Sequence, residues 1–511
     1  MTRLIRLVFH RAFICGACIV IQAAILVGLI WKFDHYFAYI YWASMAVSLS
    51  LVLWLVNNKS NPSYKISWII TILLLPVFGI LFYFLVGRGR ISQREKMRLS
   101  GLEADTIKYL DRKDDIVDQI SKENRTAGNQ SRYIADWAFY PPYRGTSSQY
   151  LPLGEDMFAQ LKEELEKAEH YIFMEYFIIE GGKMWDSILE ILVRKVKQGV
   201  DVRVIFDDMG CLLLLPYRYD KQLEALGIKS CIFNPLRPVL STSVNNRDHR
   251  KICVIDGWVG FSGGINLADE YINEIVKHGH WKDTAIMLKG EAVWNLTIMF
   301  LTMWNYVRGT KEDYEQYRPH IYQPAPIPDD GYVQPFSDSP MDNESTGENI
   351  YLNLINKAER YVYITTPYLI IDNEMITALS NAAKAGVDVR IITPHLGDHW
   401  FVHTTTRAYY QSLLDNGVKI YEYTPGFIHA KTYVVDDLYS VVGTINMDYR
   451  SLYLHFECGV WLYRTQSVLQ VRDDFIRTLE DCQCIDRESW RRRPWYLHLA
   501  GAVLRLFAPL M

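Results

Sequence analysis

Three stretches of this sequence occur twice, in the same order. Ala168-Glu169-His170-Tyr171-Ile172-Phe173 returns as Ala358-Glu359-Arg360-Tyr361-Val362-Tyr363, and Gly199-Val200-Asp201-Val202-Arg203 returns as Gly386-Val387-Asp388-Val389-Arg390. His249-Arg250-Lys251-Ile252-Cys253-Val254-Ile255-Asp256 returns as His429-Ala430-Lys431-Thr432-Tyr433-Val434-Val435-Asp436. The offsets are 190, 187 and 180 residues, so order is kept with small changes in length. Two copies at that period imply two related domains, since a solenoid needs at least three short repeats. In each copy a helical pattern (156–168; 348–358) leads into an apolar run of strand length, and a second (185–198; 374–385) leads into the Asp-Val-Arg strand. Strands alternating with helices predict an α/β fold: two halves, each a β-sheet flanked by helices, related by pseudo-twofold symmetry. Halves meeting face to face bring their equivalent motifs to one shared cleft.

The rest of the chain divides around this duplication. Residues 1–95 read as a membrane region with apolar runs Phe13–Trp31, Phe37–Val56 and Ile66–Val86, none containing Asp, Glu, Lys or Arg. Each is long enough for the roughly 20 residues needed to cross about 30 Å of hydrocarbon, so transmembrane helices are expected, either all three or a hairpin of the second and third runs. A polar connector (96–130), a first half (131–322), a Pro/Asp/Ser-rich linker (323–346) and a second half (347–484) follow. The segment 485–511 joins Arg491-Arg492-Arg493 to an apolar stretch from Trp495 that is too short to span. It suits either a headgroup interface or a last helix packed on the domain. The net charge of −4 splits into +9 over the first hundred residues and −13 over the remainder. That balance argues against nucleic acid as a partner and leaves docking at a bilayer to the apolar runs and their basic flanks. The cluster Arg88, Arg90, Arg94, Lys96, Arg98 favours a cytoplasmic catalytic domain in a cell membrane. The eight cysteines show no disulfide or zinc spacing.

The motif His-x-Lys-x4-Asp, repeated, suits phosphodiester chemistry. A neutral His attacks phosphorus and forms a covalent phosphoryl-histidine, splitting one difficult displacement into two. A second, protonated His delivers a proton to the leaving alkoxide and later removes one from the incoming hydroxyl. Lys251, Lys431, Asn266 and Asn446 supply charge and donors to the phosphoryl oxygens. His249 and Lys251, like His429 and Lys431, are spaced i and i+2 and share one face of an extended strand. Asp256 and Asp436, at an odd offset, face away and are read as structural members of the motif. No metal and no cofactor is called for, because lysine and asparagine take the part of divalent ions.

These residues carry a resemblance to a known family. The first half continues as Asp256-Gly257, Gly260-Phe261-Ser262-Gly263-Gly264-Ile265-Asn266 and Trp281-Lys282-Asp283, the second as Gly443-Thr444-Ile445-Asn446 and Glu457. They look like the paired HKD motifs of the phospholipase D superfamily. With Trp68, Pro76, Gly79, Tyr83 and Gly87 of the third apolar run, they resemble bacterial cardiolipin synthases in particular. The resemblance implies a phosphatidyltransferase that makes cardiolipin and glycerol from two phosphatidylglycerol molecules through a phosphatidyl-histidine, with His249 favoured as nucleophile. It also implies that Asp283 orients His249 and that Glu457 orients His429. A hydrolase, or a transferase with another acceptor, would keep the same motifs; protein partners stay undefined.

Four other features are singled out. His395, His399 and His403 are spaced i, i+4, i+8, but Pro394 and Gly397 spoil the helical turn that would align them as ligands. Glu175 and Tyr368 end equivalent strands and either line the cleft or are satisfied buried groups. His455 stands where the family usually carries asparagine; it keeps a donor, so activity is expected to survive with an altered pH profile.

Overall fold

The structure is a computed structural model. It describes residues 37–58, 60–87, 93–236, 245–319, 330–342 and 344–510, with isolated positions Val20, Ala24, Gly28 and Ile327. In the first half the strands are β1 (Thr146–Leu151), β2 (Tyr171–Tyr176), β3 (Asp201–Asp207), β4 (Lys229–Phe233), β5 (Ile252–Ile255), β6 (Val259–Gly263), β7 (His280–Lys282) and β8 (Ala285–Gly290). The second half has β9 (Tyr332–Asp338), β10 (Tyr361–Thr365), β11 (Leu369–Ile370), β12 (Asp388–Pro394), β13 (Lys419–Tyr423), β14 (Gly426–Ile428), β15 (Thr432–Val435), β16 (Tyr439–Gly443), β17 (Met447–Asp448), β18 (Glu457–Tyr463) and β19 (Cys482–Cys484).

Two mixed sheets result, ordered β1-β8-β6-β5-β2-β3-β4 and β19-β13-β12-β10-β15-β16-β18-β9. In both, the strands joined by crossover helices are parallel (β2-β3-β4; β10-β12-β13), and the motif strand pairs antiparallel to the first of them (β5 on β2; β15 on β10). The expected two α/β halves are therefore present with matching topology. One central core unites them. It joins Phe173, Val254 and Leu288 of the first sheet, Val434, Val460 and Leu462 of the second, and Trp294, Phe300 and Trp304 of helix Val293–Arg308. Helices Gly154–Lys167 and Lys183–Lys197 cover the outer face of the first sheet, and Thr346–Asn356, Asn373–Lys384 and Trp400–Leu414 that of the second.

The domain boundaries need correction at two places. The stretch 323–346, read as a linker, holds β9, which pairs along its whole length with β18 from Asp338↔Glu457 to Tyr332↔Tyr463. Pro335 hid it; at a sheet edge the missing N–H costs no ladder bond. The connector 96–130 is helical and docked: Leu99 enters the central core, and Ile120 and Ala127, with Ile134 just beyond it, pack with the second half. Helix Arg125–Trp137 thus belongs with the second sheet, although its chain position precedes the first.

The expected transmembrane helices, two or three, are not what the described residues display. The run Phe13–Trp31 lies almost wholly outside the described residues. Phe37–Val56 is helical, with side chains described continuously only from Trp42. The run Ile66–Val86 breaks into helices Pro62–Leu74 and Pro76–Phe82, hinged at Leu75 (φ −129°, ψ 70°). Pro76 has no N–H to continue the first helix and disfavours a helical residue before it. Gly79 lets the two pieces fold against each other, since a Cβ there would lie 2.5 Å from the Thr71 carbonyl oxygen. Among the described residues no helix is long and apolar enough to cross a membrane.

The C-terminal segment packs on the domain, as one of the two readings expected. Helix Trp495–Phe507 packs through Gly501 on Ala408 of helix Trp400–Leu414, while Trp495, Tyr496, Leu499 and Val503 remain exposed. Ser67 Oγ donates to the Leu506 carbonyl at 2.6 Å, so the apolar N-terminal region and this helix lie side by side.

Candidate active site

Each His-x-Lys segment runs extended just ahead of its strand, β5 or β15, and each Asp closes the far end. The Asp256 carboxylate accepts backbone N–H bonds from Glu169, His170 and Tyr171, all at 2.8 Å. Asp436 accepts those of Glu359, Arg360 and Tyr361 at 2.7–2.8 Å. Both aspartates sit in the left-handed region (φ 51° and 56°) at the turn to the next strand. They tie that turn to the entry of β2 or β10 and, as expected, face away from the histidines.

The histidines and their acids pair across the two halves. His249 Nδ1 lies 2.9 and 3.0 Å from the two Glu457 oxygens, and His429 Nδ1 lies 2.6 Å from Asp283 Oδ2. The expected partners, Asp283 for His249 and Glu457 for His429, are thus exchanged. Two short ladders between the halves cause it. β7 pairs in parallel with β14, and His429 N–H continues this ladder by donating to the Lys282 carbonyl, one residue before Asp283. Likewise His249 N–H donates to the Phe456 carbonyl, one residue before Glu457, and Phe456 N–H donates to Arg247. Each acid follows the strand residue that the opposite histidine's backbone grips, so crossing is built into the main chain.

Glycine and threonine complete the acid positions. A Cβ at Gly264 would stand 2.1 Å from Asp283 Oδ1, so only glycine lets this carboxylate reach His429. The position after Gly443 is Thr444, and its hydroxyl hydrogen-bonds Glu457 Oε2. Asp283 Oδ1 accepts the Thr284 N–H at 2.7 Å. Thr444 was not anticipated; the only signal was that Gly263-Gly264 aligns with Gly443-Thr444.

The lysines are completely enclosed, each ammonium hydrogen-bonded to the carbonyl of the histidine two residues earlier. Burial pulls Lys251 down to about 8 and Lys431 down to about 7; Asp283 and Glu457 oppose the shift, and Lys251 repels Lys431. Burial also lowers His249 to about 3 against the pull of Glu457, and lowers His429 against that of Asp283. Burial alone would raise Glu457, but the charge and hydrogen bond of His249 hold it well below the carboxylate range. The cluster therefore presents neutral imidazoles, that of His249 braced by an ionised Glu457. Both histidine side chains are 8% exposed, and their Nε2 atoms are the ring nitrogens left for a ligand once Nδ1 is engaged.

The remaining expectations separate cleanly. Asn446 is buried with Oδ1 unpartnered among the described residues. Asn266 is instead committed to the fold: its Oδ1 accepts the Ile178 N–H at 3.0 Å and its Nδ2 donates to Tyr271 OH at 2.6 Å. Glu175 is buried, with Oε1 bound by Arg250, which also holds Asp248 at 3.1 Å, and Oε2 without a partner among the described residues. His395 is held by Glu422 at 2.9 Å and His399 precedes helix Trp400–Leu414. Phe177 and Tyr271 wall the two histidines, with ring centroids 5.1 Å from His249 and 5.7 Å from His429. Among the described residues, the donors that approach a common ion most closely as a set of three are His249, His455 and Glu457, within 4.8 Å of one another. Two of these three are the histidine–acid pair itself, so any ion there would occupy the same Nδ1 or Nε2 atoms.

Duplicated sheets of this order define a phospholipase D-like fold. The solved phosphatidylserine synthase of Haemophilus influenzae shares it at a TM-score of 0.57 and 15% identity, covering 75% of this chain and 100% of that one. The family description "Cardiolipin synthase, PLD-like domain" matches residues 161–290 and 351–479, and "Phospholipase_D-nuclease N-terminal" matches 46–88. A cardiolipin synthase of Geobacillus kaustophilus is 35% identical over 473 residues, 91% of this chain and 92% of that protein. One of Halalkalibacterium halodurans is 34% identical with the same coverage. An uncharacterized protein of Streptococcus mutans is 45% identical over 462 residues, 90% of this chain and 99% of that one. The chain belongs to the cardiolipin synthase family, and it is an enzyme of that phosphatidyltransferase class.

Proposed function

We propose that the enzyme joins two phosphatidylglycerol molecules into cardiolipin and free glycerol. His249 Nε2 attacks the phosphorus of the first lipid; the P–N bond forms as the P–O bond to glycerol breaks. His429, protonated in the complex, gives its proton to the departing glycerol oxygen. The primary hydroxyl of the second lipid then loses its proton to His429 and attacks phosphorus, the new P–O bond forms, and His249 leaves neutral. Both steps exchange one phosphodiester-type link for another, so no nucleotide is consumed. Lys251, Lys431 and the Asn446 amide meet the charge that develops on the phosphoryl oxygens. An anionic phosphodiester entering the cluster raises both lysines and His429 toward their charged forms, the states this chemistry needs.

The observation that carries this reading is the pair of crossed dyads. Each acid fixes Nδ1–H of one imidazole, leaving an Nε2 lone pair as nucleophile or base on either side of one cleft. Lipid substrates also explain an apolar N-terminal region beside the domain; we place it in the cell membrane, with the basic cluster near residues 88–98 keeping the catalytic domain cytoplasmic.

Product analysis tests the proposal. Detergent-solubilised enzyme receives labelled phosphatidylglycerol as the only lipid, with EDTA present. Cardiolipin and glycerol in equal amounts are expected. Phosphatidic acid alone would make the enzyme a phospholipase D with water as acceptor.

A further inference from the structure

A cavity of about 400 Å³ lies between helices Trp400–Leu414 and Trp495–Phe507 and shares no residue with the histidine cluster. Its wall carries Arg407, Arg493, Arg505 and His498, with Gln411 and Trp490 between them. Arg407 is neutralised: Glu422 accepts from it at 2.8 and 2.6 Å. Arg493 and Arg505 differ. Among the described residues neither pairs with a carboxylate; Arg493 stacks 4.0 Å above Trp490 and Arg505 lies 4.5 Å from the centre of the Tyr409 ring. Two guanidinium groups laid on aromatic faces are oriented without a carboxylate bonded to them, and burial together with Arg407 pulls Arg493 below its ordinary pKa against the attraction of Glu422. An arginine pair of this kind matches a phosphate group, whose oxygens take paired N–H bonds.

We propose that this cavity binds a phosphate-bearing anion through Arg493 and Arg505, at a site separate from the catalytic cluster. Its volume lies in the range of roughly 300–1,000 Å³ typical of small-ligand pockets and holds a glycerophosphate-sized group. Position favours a lipid headgroup as the source. The opposite face of helix Trp495–Phe507 exposes Tyr496, Leu499, Val503 and Phe507, spaced three, four and four apart, and the exposed Leu73–Leu75 turn lies on the neighbouring hairpin. A helix with that stripe rests at a lipid surface, where anionic headgroups are concentrated. The proposal stands independently of the roles given to His249 and His429.

Hydrogen exchange on the full chain in neutral detergent tests it, because protection is located along the chain and is not confused with occupation of the catalytic cleft. Dihexanoyl-phosphatidylglycerol should slow exchange in 400–411 and 490–507, and Arg493→Gln with Arg505→Gln should weaken that protection by about tenfold or more in ligand concentration. Glycerol 3-phosphate is the second arm: protection only by the lipid assigns a headgroup, and equal protection by both assigns a soluble phosphate. Protection by neither, protection that survives in the double variant, or equal protection by dihexanoyl-phosphatidylcholine overturns the proposal. If the double variant loses its fold, seen as fast exchange in β10 and β12, Ala502→Trp decides. It fills the cavity mouth while keeping both arginines, and it should abolish the protection; unchanged protection overturns the site.

Discussion

Nδ1 of His249 lies 2.9 Å from Oε1 and 3.0 Å from Oε2 of Glu457, a residue 208 positions further along the chain and in the other half of the duplication. His429 answers with Asp283, so each half completes the other's histidine. Neither half holds a complete pair, and the centre exists only when the two sheets are docked.

Crossing can be read directly. In ¹⁵N-histidine NMR, Glu457→Gln should shift the His249 ring resonances and leave those of His429 nearly unchanged, and Asp283→Asn should do the reverse. Turnover should fall by about 10²–10⁴-fold in each, as when an orienting carboxylate is neutralised. A His249 signal that follows Asp283 instead of Glu457 would contradict the structure.

Gly264→Ala isolates the geometry of one dyad. The new methyl meets Asp283 Oδ1 at 2.1 Å and must push the carboxylate off His429. Activity should drop at least about 100-fold while thermal stability falls by only about 1–3 kcal/mol. Normal turnover in this variant would mean that Asp283 has room the packing does not reveal.

Asp256→Ala and Asp436→Ala should act on stability instead. Each strips partners from three backbone N–H groups. Water can reach part of each site, so a loss of about 2–4 kcal/mol is expected, read as a lower melting temperature. Below that temperature the variants should keep most of their turnover, unlike Lys431→Met, which should lose rate without unfolding.

Activity and stability should diverge with pH. Lys431 and Lys251 are held near 7 and 8 against 10.5 when unfolded. Between those values the unfolded chain binds more protons, so stability rises as pH rises from about 7 to 10. Over the same interval the free enzyme loses the charge that binds phosphate, so kcat/KM should fall above pH 8. His249, lowered to about 3, adds a stability loss as pH drops below 6.5, where the unfolded imidazole protonates first. Parallel melts and initial rates from pH 5 to 10 check this; rates and melting temperatures that rise together above pH 7 would refute the assignment of charge to the lysines.

Much of the architecture was legible because it is local or repeated. Periodicity marks the helices, the duplicated Asp-Val-Arg strands sit at equivalent places in both sheets, and the odd offset from His249 to Asp256 turned that carboxylate away from the site. What failed did so for nameable reasons. Pro335 masked an edge strand whose pairing depends on β18, more than a hundred residues later. The apolar run Ile66–Val86 has the composition of a span, yet Pro76 and Gly79 fold it back. Asn266 has the right residue type for phosphate, but Ile178 and Tyr271 occupy its amide.

The amino-acid sequence by itself determined the duplication, the α/β class, and the identity of the two histidines and two lysines, because residue type and spacing are properties of the chain; the two acids came from the family resemblance. Which acid serves which histidine was decided only by tertiary structure. Spacing along a strand says which way a side chain points and nothing about whose backbone lies opposite. The β7–β14 ladder and the Arg247–Phe456 pairing form only when the halves dock, and those contacts place Asp283 on His429 and Glu457 on His249.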